Sequence, residues 1–451
     1  MVNWLEIPDL AAVALLASAF ASVSRRNQTP VSRLWLTGWI MIVLHFAAFT
    51  FLPAPGIWGI LAANIGLAAL IWAGLLFMWA SVPDRHESYS RWMLAALLLV
   101  NTLYIVLISA DTAPAWALNT VAVLLGGLPL AIAVVYSRKF NHPMRRGLVA
   151  LYCALSIFLL LVQHRPGNGA DLAQNALLFT VYFACCIHFW HMYRRGTAGA
   201  FVTIAGFLAW SLVFVVAPAA MAFLPQVHIE GEVWNLPKYV VAVGMILLLL
   251  EDQIEHNEYL ALHDMLTALP NRRLFQDRLG LSLERARREG TQTALMVIDL
   301  DGFKEVNDTL GHHVGDLLLQ RVGSIFSGRV RGCDTVARTG GDEFSVILEE
   351  NPSRQEAMEV SEALMELLIQ PQEIEGHTVT VGASVGVALF PEDASDMQSL
   401  CIKADLRMYE VKHSADHQCE PWALESPIPQ ITAHSRTAPA YELPIMARVS
   451  S

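Results

Sequence analysis

Ala294-Leu-Met-Val-Ile-Asp-Leu-Asp301 is an apolar run that ends on two carboxylates, and Arg338-Thr-Gly-Gly-Asp-Glu-Phe-Ser-Val-Ile-Leu348 sets two more carboxylates at the head of a second such run. Short apolar runs bounded by Gly and Asp read as buried strands. The glycines at 340 and 341 read as a tight turn between strands 335–338 and 344–348, a turn whose geometry calls for positive φ. Around these strands, 271–289, 303–310, 316–330, 356–369 and 396–413 carry helical spacing, and 378–388 reads as a further strand. This is an α/β domain of ordinary size.

Upstream of residue 250 the chemistry changes. The chain has 451 residues, of which 54% are hydrophobic and 16% charged, against roughly 25% charged in an ordinary soluble protein. Mean hydropathy is +0.43. Residues 1–250 hold 13 Lys/Arg and 8 Asp/Glu, whereas 251–451 hold 17 and 33. The first half is thus weakly basic and the second strongly acidic, which excludes a disordered or wholly soluble chain and gives no basic face for nucleic acid. Nine apolar stretches, 7–23, 34–52, 57–82, 92–110, 114–136, 147–163, 172–191, 198–223 and 234–250, are long enough to cross a hydrocarbon core of about 30 Å.

Eleven basic residues lie in alternate connectors (Arg25, Arg26, Arg33, Arg85, Arg91, Arg138, Lys139, Arg145, Arg146, Arg194 and Arg195), and only Arg165 and Lys238 in the others. Positive charge marks the cytoplasmic side, so the N-terminus is expected in the periplasm and everything after 250 in the cytoplasm of a bacterial inner membrane. Glu6 and Asp9 stand where a signal peptide would carry positive charge, so residues 7–23 are read as a span. No charged residue falls near mid-membrane, which weakens a pump or transporter reading. His45, Asn64, Asn101 and His188 are the polar exceptions, read first as interhelical hydrogen-bonding groups and second as pocket residues for an unknown sensory ligand. The six cysteines (153, 185, 186, 333, 401 and 419) show no metal spacing. Residues 251–263 continue the last span as a connecting helix, with Leu250, Ile254, Asn257 and Ala261 at heptad-like spacing.

Two acidic clusters on adjacent strand ends suit Mg²⁺, which takes a few carboxylates plus phosphate oxygens and water. An acidic turn alone is more often a solvated loop. The wider pattern resembles the GGDEF family of diguanylate cyclases: Arg338-Thr-Gly-Gly-Asp-Glu-Phe344 is similar to its signature, Asp264-Met-Leu-Thr-Ala-Leu-Pro-Asn-Arg272 to its opening motif, and Asp299-Leu-Asp-Gly-Phe-Lys-Glu-Val-Asn307 with Gly311-His312 and Gly315-Asp316 to its nucleotide-binding segment. Ser384-Val-Gly-Val387 resembles its late strand, and Ala404-Asp405 with Tyr409 and Lys412 its closing helix. The resemblance spans about 258–416 and no part of the membrane half.

Hydropathy and this resemblance together predict a multi-domain chain: an all-α transmembrane bundle of about nine spans over 1–250, a signalling helix over 251–263, an α/β GGDEF domain, to which the resemblance gives a central, mainly antiparallel sheet, over 264–418, and a disordered tail over 419–451. The resemblance is to an enzyme. It implies condensation of two GTP into cyclic di-GMP and two pyrophosphates, with Mg²⁺ (Mn²⁺ as alternative) held by Asp299, Asp342 and the Leu300 carbonyl. Asp342 would act as general base, Glu343 beside it, with Lys304 near the triphosphate. Asn307 and Asp316 would read guanine, with Phe303, His312 and Lys412 completing the substrate site. One domain holds one GTP, so a homodimer is required. Arg331 and Asp334 match the family's RxxD product-inhibition site. Asp416 replaces the family's phosphate-binding Arg, which predicts weakened GTP affinity. The residues after 418 leave no room for an EAL-type phosphodiesterase, so a bifunctional enzyme is not expected. The rival reading is a membrane-bound cyclic di-GMP receptor with little or no catalysis.

Overall fold

A computed structural model describes the chain except residues 1–2, 27–28, 81–87, 111–112, 136–142, 194–195, 224–225, 227–230 and 416–451. Asp416 and the 419–451 tail therefore lie outside the described residues. The fold divides into two compact units, Met1–Tyr259 and Leu260–Ser451.

The first unit is helical: α1 (Ile7–Arg26), α2 (Pro30–Thr50), α3 (Ile57–Ala80), α4 (Ser88–Ile108), α5 (Ala115–Val135), α6 (Pro143–Val162), α7 (Gly169–Met192), α8 (Ala198–Phe223) and α9 (Gly231–Leu262). Eight of these are long and apolar enough to cross a membrane by length and composition, with Ala115–Ala131 as a shorter apolar helix. Among the described residues eight candidates thus stand against the nine expected, and the expected stretch 114–136 supplies only the shorter helix. Aromatic rings fill the centre: Trp35, Trp39, Phe77, Tyr182, Phe189, Phe207 and Trp210 are all buried, with Tyr182 stacked on Trp210 at 4.0 Å between centroids. Small residues let helices touch elsewhere, as in membrane bundles. A Cβ added at Gly244 of α9 would lie 2.6 Å from the Thr203 nitrogen of α8. The His45 Nδ1–H donates to the Gly66 carbonyl, 2.9 Å away, which fits the interhelical reading of that residue. The Asn101 Oδ1 and His188 Nε2 atoms are buried without a partner.

The second unit is a three-layer α/β/α domain. Its helices are α10 (Arg272–Glu289), α11 (Phe303–Leu310), α12 (His312–Arg329), α13 (Arg354–Ile369) and α14 (Met397–Ala415), and its strands are β1 (Thr293–Asp301), β2 (Thr335–Arg338), β3 (Glu343–Leu348), β4 (Gln372–Ile374), β5 (His377–Val379) and β6 (Gly382–Phe390). The main sheet has the order β2-β3-β1-β6, and every pairing in it is antiparallel. Side chains alternate across a strand. Met296, Ile298 and Leu300 therefore join Leu318, Leu319, Val322 and Phe326 of α12 and Leu364 and Leu368 of α13 in one core. Leu295 faces the opposite way, against Phe275, Leu279 and Leu283 of α10 and Leu400 and Ala404 of α14. Helices on both faces explain why β1 reads as continuously apolar despite antiparallel neighbours.

One expected strand divides. The run 378–388 is β5 plus β6, because β5 pairs with β4 through a turn at Glu375 and Gly376, both at positive φ (49° and 82°). Two consecutive positive-φ residues make the hairpin turn whose twist suits antiparallel strands. That hairpin takes 377–379 away from the main sheet.

Candidate active site

β1 and β3 pair so that Asp299 stands opposite Glu343, and the Leu300 N–H donates to the Asp342 carbonyl at 3.3 Å. The two acidic segments therefore meet at one end of the sheet. Asp299 is buried at 8% exposure. Glu343 lies at the turn, where burial and then the charges of Asp299, Asp342 and Asp405 raise its carboxyl above the usual range, partly opposed by Arg272.

Between them the turn has a different cause from the one the glycine pair suggests. Neither Gly340 nor Gly341 is at positive φ; among the nearby glycines that conformation belongs to Gly302 (75°) and Gly311 (87°). A Cβ at Gly340 would meet Glu343 Oε2 at 2.5 Å, whereas one at Gly341 would meet nothing within 4 Å. Gly340 makes room for the Glu343 side chain, and Gly341 leaves the tip bare for an incoming group.

Arg338 holds this turn. Its Nε and Nη2 donate to the Gly341 carbonyl at 3.1 and 2.7 Å, and its Nη1 pairs with Asp264 Oδ1 at 2.9 Å. Asp264 also accepts from the Thr267 N–H and hydroxyl at 2.9 and 2.7 Å. These bonds, with the ion pair to Arg338, hold its carboxyl below the ordinary value against the opposing effect of burial. Sequence reasoning missed this role, because residues 264 and 338 are far apart in the chain and only a folded contact joins them.

Lys412, from α14, puts its ammonium 2.5 Å from Asp299 Oδ1. That hydrogen bond, then the charges of Asp299, Asp301 and Asp342, raises its proton affinity. α14 reaches so far because it lies directly on β6: a Cβ at Gly386 would fall 2.0 Å from the Ala404 carbonyl and 2.3 Å from the Met408 nitrogen. Asp301 accepts from the Ser384 hydroxyl at 2.8 Å.

β1 runs through Gly302, the N-cap of α11, into the predicted nucleotide segment. Asn307 packs against Gly315 so closely that a Cβ there would lie 2.0 Å from Asn307 Oδ1 and 3.4 Å from the Phe303 ring. Phe303, Asn307 and the start of α12 thus pack into one continuous surface. Asp316, the next residue, is exposed, as are Lys304 at the first turn of α11 and His312 at the first residue of α12.

Metal chemistry is compatible with these residues. Among the described residues no group of three or more His, Cys, Asp or Glu side chains stands ready to hold a metal alone. Mg²⁺ is usually held by one or two carboxylates with phosphate oxygens and water completing its sphere, which is what Asp299, Asp342 and a backbone carbonyl offer. The Lys412 ammonium already sits on Asp299 as a cation would.

Arg331 and Asp334 stand apart from this end of the sheet, in the turn before β2. Asp334 Oδ2 accepts from the Arg331 N–H and Oδ1 from the Glu349 N–H, both at 3.0 Å, so this carboxylate shapes the turn. Arg331 is exposed. Beside the turn lies a cavity of about 260 Å³ bordered by Arg278, Arg285, Cys333 and Glu349, with Arg285 paired to Glu349 at 2.7 Å. That cavity was not visible from spacing.

Residues 261–418 match the family described as diguanylate cyclase, GGDEF domain. The chain is 41% identical over 188 residues to the bifunctional diguanylate cyclase/cyclic di-GMP phosphodiesterase MucR of Pseudomonas aeruginosa, over 38% of this chain and 27% of MucR. It is 38% identical over 167 residues to the diguanylate cyclase TpbB of the same organism, over 37% of this chain and 38% of TpbB. The match thus spans well under half of either relative. A solved structure of the TpbB GGDEF domain aligns at 39% identity and TM-score 0.33, over 34% of this chain and 89% of that one.

Proposed function

We propose that this chain, whose residues 261–418 are a GGDEF domain, is a membrane-bound diguanylate cyclase that joins two GTP into cyclic di-GMP and releases two pyrophosphates. The observation that carries the reading is the pairing of Asp299 with Glu343 beside Asp342 at the bare turn. In this reading Asp299, Asp342 and the Leu300 carbonyl hold Mg²⁺ or Mn²⁺, which when bound stabilises charge on the entering and leaving oxygens.

The chain's own groups do the rest. Asp342 takes the proton of the ribose 3′-hydroxyl as it attacks the α-phosphorus of the facing GTP, and Glu343 adds negative charge beside it. Asn307 and Asp316 accept from the ring N–H and amino group of guanine, which are donors, against the Phe303 ring. Lys304 and the free N–H groups at the start of α11 face the triphosphate, with His312 and Lys412 at its margin. One domain presents one such site, so two copies must meet. Asp416 in place of a basic group makes the nucleotide affinity modest. Product would return to Arg331 and Asp334, with Arg278 and Arg285 at the neighbouring cavity supplying further positive charge to its phosphates.

The membrane unit sits in the inner membrane with the catalytic domain in the cytoplasm and relays an external signal through α9. Full-length protein in nanodiscs, given GTP and Mg²⁺, should form cyclic di-GMP. Asp342→Ala should lower turnover by at least about 10³-fold, as loss of a catalytic base and metal ligand does, while labelled cyclic di-GMP still binds. Product binding by the unaltered chain without turnover would replace this reading with that of a receptor.

A further inference from the structure

Lys412 is bonded to the carboxylate that the cyclase reading gives to the metal. Its Nζ lies 2.5 Å from Asp299 Oδ1, and its side chain is 41% exposed whereas that of Asp299 is 11% exposed. Asp299 is therefore fixed and shielded, while Lys412 ends a flexible stem that reaches it from solvent. A divalent cation and this ammonium compete for the same lone pairs. Asp301 and Asp342 also act on the Lys412 charge, so the ammonium is the resident counter-ion of the acidic end of β1. Nothing in the backbone must change for it to leave, since a lysine stem has four rotatable bonds to swing through.

We propose that Lys412 is a placeholder cation: it occupies Asp299 in the nucleotide-free chain, yields that carboxylate to the metal, and moves to the phosphates that arrive with it. This rests on Asp299 being a metal ligand, as the cyclase reading holds. The exchange couples the two ligands. Metal alone must displace a bonded ammonium with no phosphate there to receive it, and nucleotide alone must draw Lys412 from Asp299 and leave that carboxylate bare. Arriving together, each removes the other's obstacle, so the site loads as a metal–nucleotide unit and stays closed to free divalent cations.

The test is direct Mn²⁺ binding, read by the loss of its free paramagnetic resonance signal. Full-length protein in zwitterionic nanodiscs is titrated with and without a non-hydrolysable GTP analogue, and Asp299→Asn gives the background. Without nucleotide, Lys412→Met should bind Mn²⁺ about 5–10-fold more tightly than the unaltered chain, the scale of one partly exposed ion pair. Lys412→Arg should stay near the unaltered chain. The gain in Mn²⁺ affinity caused by the nucleotide should shrink in Lys412→Met. Equal or weaker Mn²⁺ binding by Lys412→Met would overturn the placeholder role. If the unaltered chain still forms cyclic di-GMP, that result leaves the cyclase reading standing. If Asp299→Asn binds Mn²⁺ as well as the unaltered chain does, both fall together.

Discussion

Arg338 shows how one side chain can govern a site it does not enter. Its guanidinium grips the Gly341 carbonyl with two donors and Asp264 with a third, so the strand, the turn and the segment after α9 are fixed by one planar group. Lysine cannot reproduce that fork. Arg338→Lys should lower cyclic di-GMP formation by about 10²-fold, since a misplacement of about 1 Å at a reacting group has that effect. Near-native circular dichroism and melting temperature would locate the loss in positioning. Glu343 offers a test of the electrostatics. Its carboxyl is raised above the ordinary value of 4.5 by burial first and by neighbouring carboxylates second, so its charged form is unfavourable in the folded state and its contribution to stability is lost as pH rises through the folded value. Glu343→Gln should therefore raise the melting temperature at pH 7.5, by about 1–2 °C after allowance for solvent screening. The gain should vanish near pH 4, where both forms are neutral. An equal gain at both pH values would mean that packing, not charge, is responsible. The acidic residues at 299, 342 and 343 could be picked out in the sequence because they stand at strand ends within a collinear run of motifs, whereas an acidic turn alone would have read as a solvated loop. The Arg338–Asp264 link was not, since a single surface-type Arg and Asp at long separation carry no signal until the backbone brings them together.

At the scale of elements, most of the second unit could be read because each strand and helix obeys its own period. What could not be read was the use of small residues as contact points. Gly315 lets Asn307 lie against α12, and Gly386 lets α14 lie on β6; in sequence both look like weak points in otherwise regular segments. The 377–379 segment failed for a related reason: its β-propensity was correct, but its partner is β4, which is too short to announce itself. α14 is also held by Asp393, whose side chain is 9% exposed and accepts from Arg407 of α14 at 2.7 and 2.8 Å. Arg354 of α13 adds a bond at 2.8 Å, and the Leu389 N–H one more at 2.8 Å. The Arg407 bond first, with the Leu389 N–H and Arg354, holds the Asp393 carboxyl well below its ordinary value of 3.8. A depressed carboxylate stabilises the fold above its unfolded value and ceases to do so as pH falls through the folded one. Asp393→Asn should destabilise the domain by about 2 kcal/mol at pH 7, a figure below that of a fully buried pair because both guanidinium partners are partly exposed. The deficit should narrow below pH 3.8, where the unfolded chain takes up a proton that the folded carboxylate does not. A pH-independent deficit would instead assign the effect to lost hydrogen-bond geometry.

For the whole molecule, the parity of membrane crossings decides on which side the N-terminus lies, and the parity rests on α5. That helix has Pro129 inside it, and its apolar part, Ala115–Ala131, is shorter than the eight candidate spans. Its packing is nevertheless that of a crossing helix. The Ser156 hydroxyl of α6 donates to the Ala122 carbonyl at 2.7 Å, and a Cβ at Gly126 would lie 2.9 Å from the Tyr152 carbonyl. Deeper residues of α5 thus meet earlier residues of α6, as antiparallel neighbours must. At the head of α5, Asn119 Oδ1 accepts from Gln163 Nε2 at 2.6 Å, and Gln163 Oε1 accepts from the Tyr104 hydroxyl of α4 at 3.0 Å. The start of α5 therefore lies level with the ends of α4 and α6, and close contact through Gly and Ser is the usual way such helices associate in lipid. A helix interleaved with two neighbours along its length shares their depth, and on that footing nine crossings are predicted, with Asn3 and the second unit on opposite faces. This agrees with the charge bias, eleven basic residues in alternate connectors against two in the rest. In intact cells, a cysteine placed at Asn3 of a variant lacking the native cysteines should react with a membrane-impermeant maleimide. One placed at Glu289, on the exposed face of α10, should react only after the inner membrane is opened. Labelling of both positions before lysis would put the acidic second unit outside the cell and end the cyclase proposal. Protection of both would remove α5 from the crossings and place the N-terminus inside.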